Sequence, residues 1–251
     1  MRSLRRIIAG VAMAAVAFGA ARRVEVATDL LTRTLPLPEG RVLAVAVTIG
    51  AVHIVGEPRD DAVIDVVRHV PDPWLLARLP VVIDETPTRV EVRVIQGDGA
   101  TDPGLRSDVT LRIPTGAHID AVRILEGRLA LEGLSGHVTA ELQRGPIEAR
   151  AVSGALRLET SIGHVTVREA RLVEGGVLRL RAFNGDVRLS LAERPPHARI
   201  MALALNGTIR SAIPLRMKET WGPRWGEATL GRGEPVISID VVTGRIDIES
   251  P

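Results

Sequence analysis

Gly127-Arg-Leu-Ala-Leu131, Gly136-His-Val-Thr-Ala140, Gly145-Pro-Ile-Glu-Ala149, Gly154-Ala-Leu-Arg-Leu158 and Gly163-His-Val-Thr-Val167 follow one another at a constant step of nine residues. Each unit is a glycine, an outward residue, an apolar one, another outward residue, and an apolar or small one. A half-buried strand alternates in this way because successive side chains point to opposite faces. A fixed period means one structural unit set against copies of itself. Glycine opens each unit because a tight corner often needs a positive φ, which glycine adopts without a side-chain penalty.

Beyond Arg168 the pattern continues with looser spacing, around Asn184-Gly185, Asn206-Gly207 and Thr243-Gly244. Val138, Ile147, Leu156, Val165, Val187, Ile209 and Ile246 each stand two residues after a glycine. They are predicted to form inward rows of a narrow core. The constant step favours an all-β fold, a parallel β-solenoid (β-helix-like) with short coils of roughly 18 to 20 residues. An antiparallel β-sandwich or meander is the alternative, with each Asn-Gly closing a hairpin.

Upstream, Arg41 to Val55 reads as a strand pair around Ile49-Gly50, and Val63 to Val70 and Val90 to Ile95 as further strands. Asp72-Pro73 is a cap and first position for one helical turn. Trp74, Leu75 and Leu79 would then cover an open flank of the strands. The loop Gln96 to Ser107, with Asp98, Asp102 and nearby Asp108, lacks the ligand order of a calcium loop and reads as a solvated turn.

Residues 1–21 have the form of an export signal: Arg2, Arg5 and Arg6, then the apolar stretch Ile7 to Phe18, then Gly19-Ala20-Ala21. The apolar stretch falls short of the roughly 20 residues that span a bilayer. An uncleaved anchor is the alternative, since Arg22 and Arg23 follow at once. The expected organisation is a signal peptide at 1–21 and a single β-strand-repeat domain at 24–251, most regular over 109–251.

Composition narrows the chemistry. The chain of 251 residues is 45% hydrophobic and 2% aromatic, so the core is aliphatic. Without cysteine there is no disulfide and no thiolate ligand. Residues 1–23 hold five arginines and no acid, so the net charge of +2 leaves −3 on the rest. That balance argues against nucleic acid as a partner.

His137 and His164 occupy equivalent places in Gly-His-Val-Thr, yet neither they nor His53, His69, His118 and His197 show metal-ligand spacing. Glu132, Glu141, Glu148 and Glu159 alternate with arginines and read as solvated ion pairs rather than a hydrolytic carboxylate pair. Trp221 and Trp225 suggest an end cap, or a ligand patch. No catalytic, cofactor-binding or metal residue is assigned, no cofactor is expected, and the protein is read as a non-enzyme.

Leu111-Arg-Ile-Pro-Thr-Gly-Ala117 and the repeats after it resemble a widespread bacterial family of β-strand-repeat, adhesin-like proteins of unknown function, similar to the head-GIN adhesin-like domains. Trp221 to Arg224, Ala228 to Gly233 and Ile237 to Ile248 look like that family's closing segment. The resemblance covers roughly residues 40–250. Members favour Gly-Asp at the corner, kept here only at Gly185-Asp186. The resemblance implies an exported cell-envelope protein, in the periplasm, at the cell surface or membrane-anchored. It brings no catalytic residues. The expected function is an adhesin-like repetitive β surface for interaction or scaffolding, with an envelope protein or glycan as partner and membrane association through the N-terminal segment. The alternatives are a polysaccharide-active envelope enzyme or a membrane-anchored sensor.

Overall fold

The structure, a computed structural model, describes residues 27–97, 101–218 and 222–251. The export segment at 1–21, Asp98 and Trp221 lie outside the described residues. The strands are β1 (Ala27–Pro36), β2 (Val42–Glu57), β3 (Asp61–Val70), β4 (Val81–Glu85), β5 (Arg89–Val94), β6 (Arg106–Pro114), β7 (His118–Glu132), β8 (His137–Arg144), β9 (Ile147–Arg150), β10 (Ala155–Ile162), β11 (Val165–Ala170), β12 (Val177–Asn184), β13 (Val187–Leu191), β14 (Ala198–Ser211), β15 (Arg216–Lys218), β16 (Arg224–Leu230) and β17 (Val236–Glu249).

Eight of these strands close on themselves. The first half of β7 pairs with β8, β8 with β10, β10 with β12, and β12 with the first half of β17. The second half of β17 pairs with β13, β13 with β11, β11 with β9, and β9 with the second half of β7. Every one of these pairings is parallel. The fold is therefore a closed eight-strand parallel β-barrel. Outside it, β2 runs along β7 and β14 along β17. The strands β5 and β4, then β6, β3 and β1, extend the sheet beyond β2, and β16 and β15 extend it beyond β14.

This corrects the expected β-solenoid, and equally the β-sandwich or meander. The expected local spacing is present: Ala155 lies opposite His137, eighteen residues away. The difference lies in β7 and β17. Each runs straight through its glycine, Gly127 or Gly244, and so hydrogen-bonds to both walls and joins them. The intervening chain is interrupted at the same level, for instance at Gly145-Pro146, where proline has no N–H for a ladder. The Asn-Gly pairs close no hairpin; Asn206-Gly207 sits inside β14. Likewise β2 is one strand bent at Gly50, not a pair.

The bend explains the glycines. A Cβ on Gly145 would lie 1.7 Å from the Gly127 carbonyl oxygen, and one on Gly163 would lie 1.9 Å from that of Gly145. The same contact links Gly127 to Gly50, Gly185 to Gly163, Gly244 to Gly185 and Gly207 to Gly244. Backbone packs on backbone along this column, and no side chain fits. Gly136 and Gly154 belong to a second column at the other bend, so the nine-residue step alternates between two corners.

Inward residues stack in two rows. One runs Val52, Leu129, Ile147, Val165, Val187, Ile246, Ile209. The other runs Leu43, Ile119, Val138, Leu156, Leu178, Ile237, Ile200. All are buried except Ile209, half-buried at the end of its row. Burying such a side chain stabilises by about 1.5–3 kcal/mol, so these rows hold the walls together.

Arg41 clamps the outer strands. Its buried guanidinium donates to the Pro36 and Thr86 carbonyls and pairs with Glu85 at 3.1 Å. Asp72 caps the 3₁₀ turn Pro73–Arg78 as expected, accepting from the Trp74 N–H at 3.3 Å. Leu75 and Leu79 are buried, but Trp74 is 68% exposed and covers nothing. The tight turn points it away from the strands, while Arg68 holds the Leu76 and Leu79 carbonyls.

Candidate functional site

In the first half of β2 the outward positions are small: Ala44, Ala46 and Thr48. Ala44 and Ala46 lie opposite Glu91 and Arg93 on β5, and Ala46 lies opposite Arg123 on β7. This leaves a trough along β2. Arg89 on β5 donates to Asp120 on β7 at 2.8 Å, closing one end over Ala44, which is 3% exposed. At the other end the trough opens into a cleft of about 430 Å³, lined by Ala46, Thr48, Ile95, Arg123, Leu125, Glu141 and Gln143 among others.

Gln96 ties one side of this cleft together. The Gln96 N–H donates to Thr48 Oγ1 at 3.0 Å, tying the start of the loop to β2. The Gln96 amide donates to the Asp102 and Leu105 carbonyls and accepts from the Asp102 N–H at 2.7 Å. Asp102 also accepts from the Gly104 N–H at 2.9 Å. Asp102 is therefore a turn residue, as the sequence indicated. Arg123 and Glu141 stand opposite each other in register on β7 and β8. Neither side chain has a hydrogen-bond or ion-pair partner among the described residues, so a cation and an anion stand ready beside the apolar Ile95 and Leu125, which are 47% and 37% exposed.

The corner beside the glycine column carries a second polar arrangement. Asp186, just after Gly185, accepts from the Arg245 N–H at 2.8 Å and pairs with its guanidinium at 3.1 Å. His164 Nδ1 accepts from the Asp186 N–H at 2.9 Å. Asp108 does the same for Ala51 at 3.0 Å, and its other oxygen meets His69 Nε2 at 3.0 Å. Partial burial would raise the Asp186 carboxyl, but the bonds and charge of Arg245 outweigh it and hold Asp186 below the usual carboxylate range. These residues brace the bends from one strand to the next.

The histidines do not come together. His137 begins β8 and touches Thr139 at 3.2 Å, while His164 serves the corner before β11. His53 lies 3.6 Å from Glu132. Glu159 lies in register between Glu141 and Arg181, 3.9 Å from the latter. Glu148 lies exposed between Ala130 and Thr166. A smaller hollow of about 190 Å³ gathers Glu174, Glu193, Glu234 and His197, but His197 Nδ1 accepts from the Arg232 N–H. Among the described residues no three His, Asp or Glu side chains are placed to hold a metal. Trp225 is half-buried, with the Lys218 ammonium 5.2 Å from its ring centroid. The pairing of Gln96 with its own loop had no sequence signal.

Several solved structures resemble this chain. A "putative cell adhesion protein" from Clostridium sporogenes is 11% identical, with a TM-score of 0.49, over 88% of this chain and 100% of its own. A "putative adhesin" from Bacteroides fragilis is 11% identical, with a TM-score of 0.32, over 87% and 96%. Another from Parabacteroides merdae is 10% identical, with a TM-score of 0.26, over 87% and 95%. No protein-family model and no curated protein matches the sequence. No helix among the described residues is long and apolar enough to cross a membrane.

Proposed function

We propose that this is an exported, non-enzymatic protein of the cell envelope with an adhesin-like role, engaging an envelope partner through the wall formed by β2, β7 and β8. The observation that carries this reading is the cleft beside β2. Gln96 on its rim is already held by Thr48, Asp102 and Leu105, which lowers the ordering cost that falls on binding. Its open handles, Arg123 and Glu141, are of opposite sign and flank apolar surface. That combination suits recognition of a polar partner with an apolar portion. The arginine-led apolar N-terminal stretch supports export.

The test has two parts. Mass spectrometry of the protein in cell fractions is expected to find it in the envelope fraction or outside the cell. Recovery only from the cytosol overturns the exported reading. Co-sedimentation with purified envelope is expected to weaken about tenfold for R123A/E141A, the loss of one or two charge-assisted contacts. Unchanged sedimentation of that variant removes the cleft from the binding surface.

A further inference from the structure

Among the described residues, β1 is the longest free edge of the sheet. It pairs with β3 over ten residues, Ala27 to Pro36, without a register shift, and with no other described strand. The other free edges are shorter: β4 runs Val81–Glu85, β15 runs Arg216–Lys218, and β14 beyond β16 covers only 205–211. A free edge invites pairing with another chain, and proteins blunt it with lysine, proline, a bulge, short length or an inward charge. Before Pro36, β1 has no lysine, proline or bulge. It does carry two charges on its core-side face, Asp29 opposite Arg68 and Arg33 opposite the buried Ile64. Such charges guard an edge only against a strand that leaves them unpaired. Both retain open valence. Arg68 donates to Asp29 Oδ2, from Nε at 3.0 Å, and Asp29 Oδ1 has no partner among the described residues. Arg33 is exposed and has no hydrogen-bond or ion-pair partner among them. Between the two lies Leu31, half-buried beside the buried Val66.

We infer that β1 pairs antiparallel with β1 of a second copy, about a two-fold axis between the two Leu31 residues. Side-chain direction and hydrogen-bond direction both alternate with period two. Two copies of one strand therefore match on both counts only when the axis passes between a residue and its own copy. Three such centres give a long overlap. Centred on Leu30, Asp29 faces Leu31 and Arg33 faces Ala27. Centred on Thr32, Asp29 faces Leu35 and Arg33 faces Leu31. Both leave each charge opposite an apolar residue. Centred on Leu31, Asp29 faces Arg33 at both ends, Thr28 faces Thr34, Ala27 faces Leu35 and Leu31 faces Leu31. Opposite charges, hydroxyls and aliphatics directly across from one another are the pairs that stabilise a sheet. The strand is thus complementary to itself, as a two-fold interface requires. One strand pair covers less area than a standard interface, so the dimer exchanges with monomer. The inference is independent of the cleft, and a dimer of this kind carries two clefts, which raises avidity for a surface that repeats its ligand.

The chain has no cysteine, so single cysteines in the purified full chain report the register by disulfide cross-linking under mild oxidation. Residues directly opposite on antiparallel strands have Cα atoms about 4.5–5.5 Å apart, within disulfide range. Leu31→Cys is expected to form a covalent dimer. In Leu30→Cys or Thr32→Cys the sulfurs sit on diagonal positions, about 7–8 Å apart at Cα, and are expected to link poorly. Random collision would favour position 30 instead, since Leu30 is 57% exposed and Leu31 is half-buried. Faster cross-linking at position 30 or 32 than at 31 overturns the inference. Sedimentation velocity over a concentration series gives a second reading. Wild type is expected to show a monomer–dimer equilibrium. Arg33→Asp sets two acids against each other at both ends and is expected to weaken it about tenfold or more, while Arg33→Lys largely keeps it. Because the Arg33 side chain has no partner in its own chain, the thermal midpoint of the Arg33→Asp monomer should match wild type, which separates lost pairing from lost folding. A wild-type chain that is monomeric at every concentration, as it would be if its own N-terminal segment covered this edge, overturns the inference. Association that Arg33→Asp leaves unchanged places the interface elsewhere and overturns it as well.

Discussion

Gly145 shows how one residue governs a bend. Its φ is +135°, and an added Cβ would lie 1.7 Å from the Gly127 carbonyl oxygen. Gly175 also has positive φ, +73°, but an added Cβ there meets nothing within 4 Å. Gly175→Ala therefore carries only the left-handed backbone penalty, about 1–2 kcal/mol. Gly145→Ala adds a backbone collision between paired strands and is expected to cost about 3–5 kcal/mol. Urea unfolding followed by circular dichroism reads both; equal midpoints would show that the column tolerates side chains. Asp186 makes a different claim. Its folded pKa is depressed, with burial opposed and outweighed by Arg245. Its contribution to stability is therefore full above the unfolded value of about 3.9 and is lost as pH falls through the folded value. Asp186→Asn keeps an acceptor for the Arg245 N–H and drops the charge. The stability gap between wild type and D186N should shrink below about pH 4. A gap that persists undiminished at pH 3 would place its origin outside the ion pair.

At the scale of the element, strand content and inward faces were legible and the connection between walls was not. Alternation in Gly163-His-Val-Thr-Val167 identifies a strand and its buried Val165 and Val167 because period two is a local property. The nine-residue step was legible too, but it conceals two columns, Gly127, Gly145, Gly163 at one bend and Gly136, Gly154 at the other. Whether a strand stops at such a bend or runs through it depends on the pairing beyond. Gly145-Pro146 stops; Gly127-Arg128 and Gly244-Arg245 continue. Proline gives the first case a local reason, whereas nothing near Gly244 marks β17 as a strand belonging to both walls. The cleft was hidden for the same reason. Ala44, Ala46 and Thr48 read as ordinary alternation, and become a trough only when β5 and β7 lie on either side. The register of Arg157 with Arg179 spans a 22-residue separation, set by the length of the Arg171–Gly176 loop rather than by the repeat.

For the whole molecule, closure depends on the last strand. β17 pairs with β12, β13 and β14, and with β7 it is one of the two strands that join the walls. A stacked repeat array loses stability unit by unit when an end is removed, because each unit contacts only its neighbours. The barrel behaves otherwise. Removing residues 236–251 opens the ring, leaves one edge each of β12, β13 and β14 unpaired, and uncovers the rows at Val187, Leu178 and Ile200. Unpaired edges beside exposed aliphatics also promote association. The truncated protein is expected to lose its cooperative urea transition and to aggregate. Removing β1, which pairs only with β3 outside the ring, should lower the midpoint and leave one cooperative transition. Far-UV circular dichroism across a urea series, with size-exclusion chromatography, distinguishes the two. If the chain lacking β17 stays monomeric and unfolds in a single sharp transition, the walls are held by stacking alone, and closure of the ring contributes little to the fold.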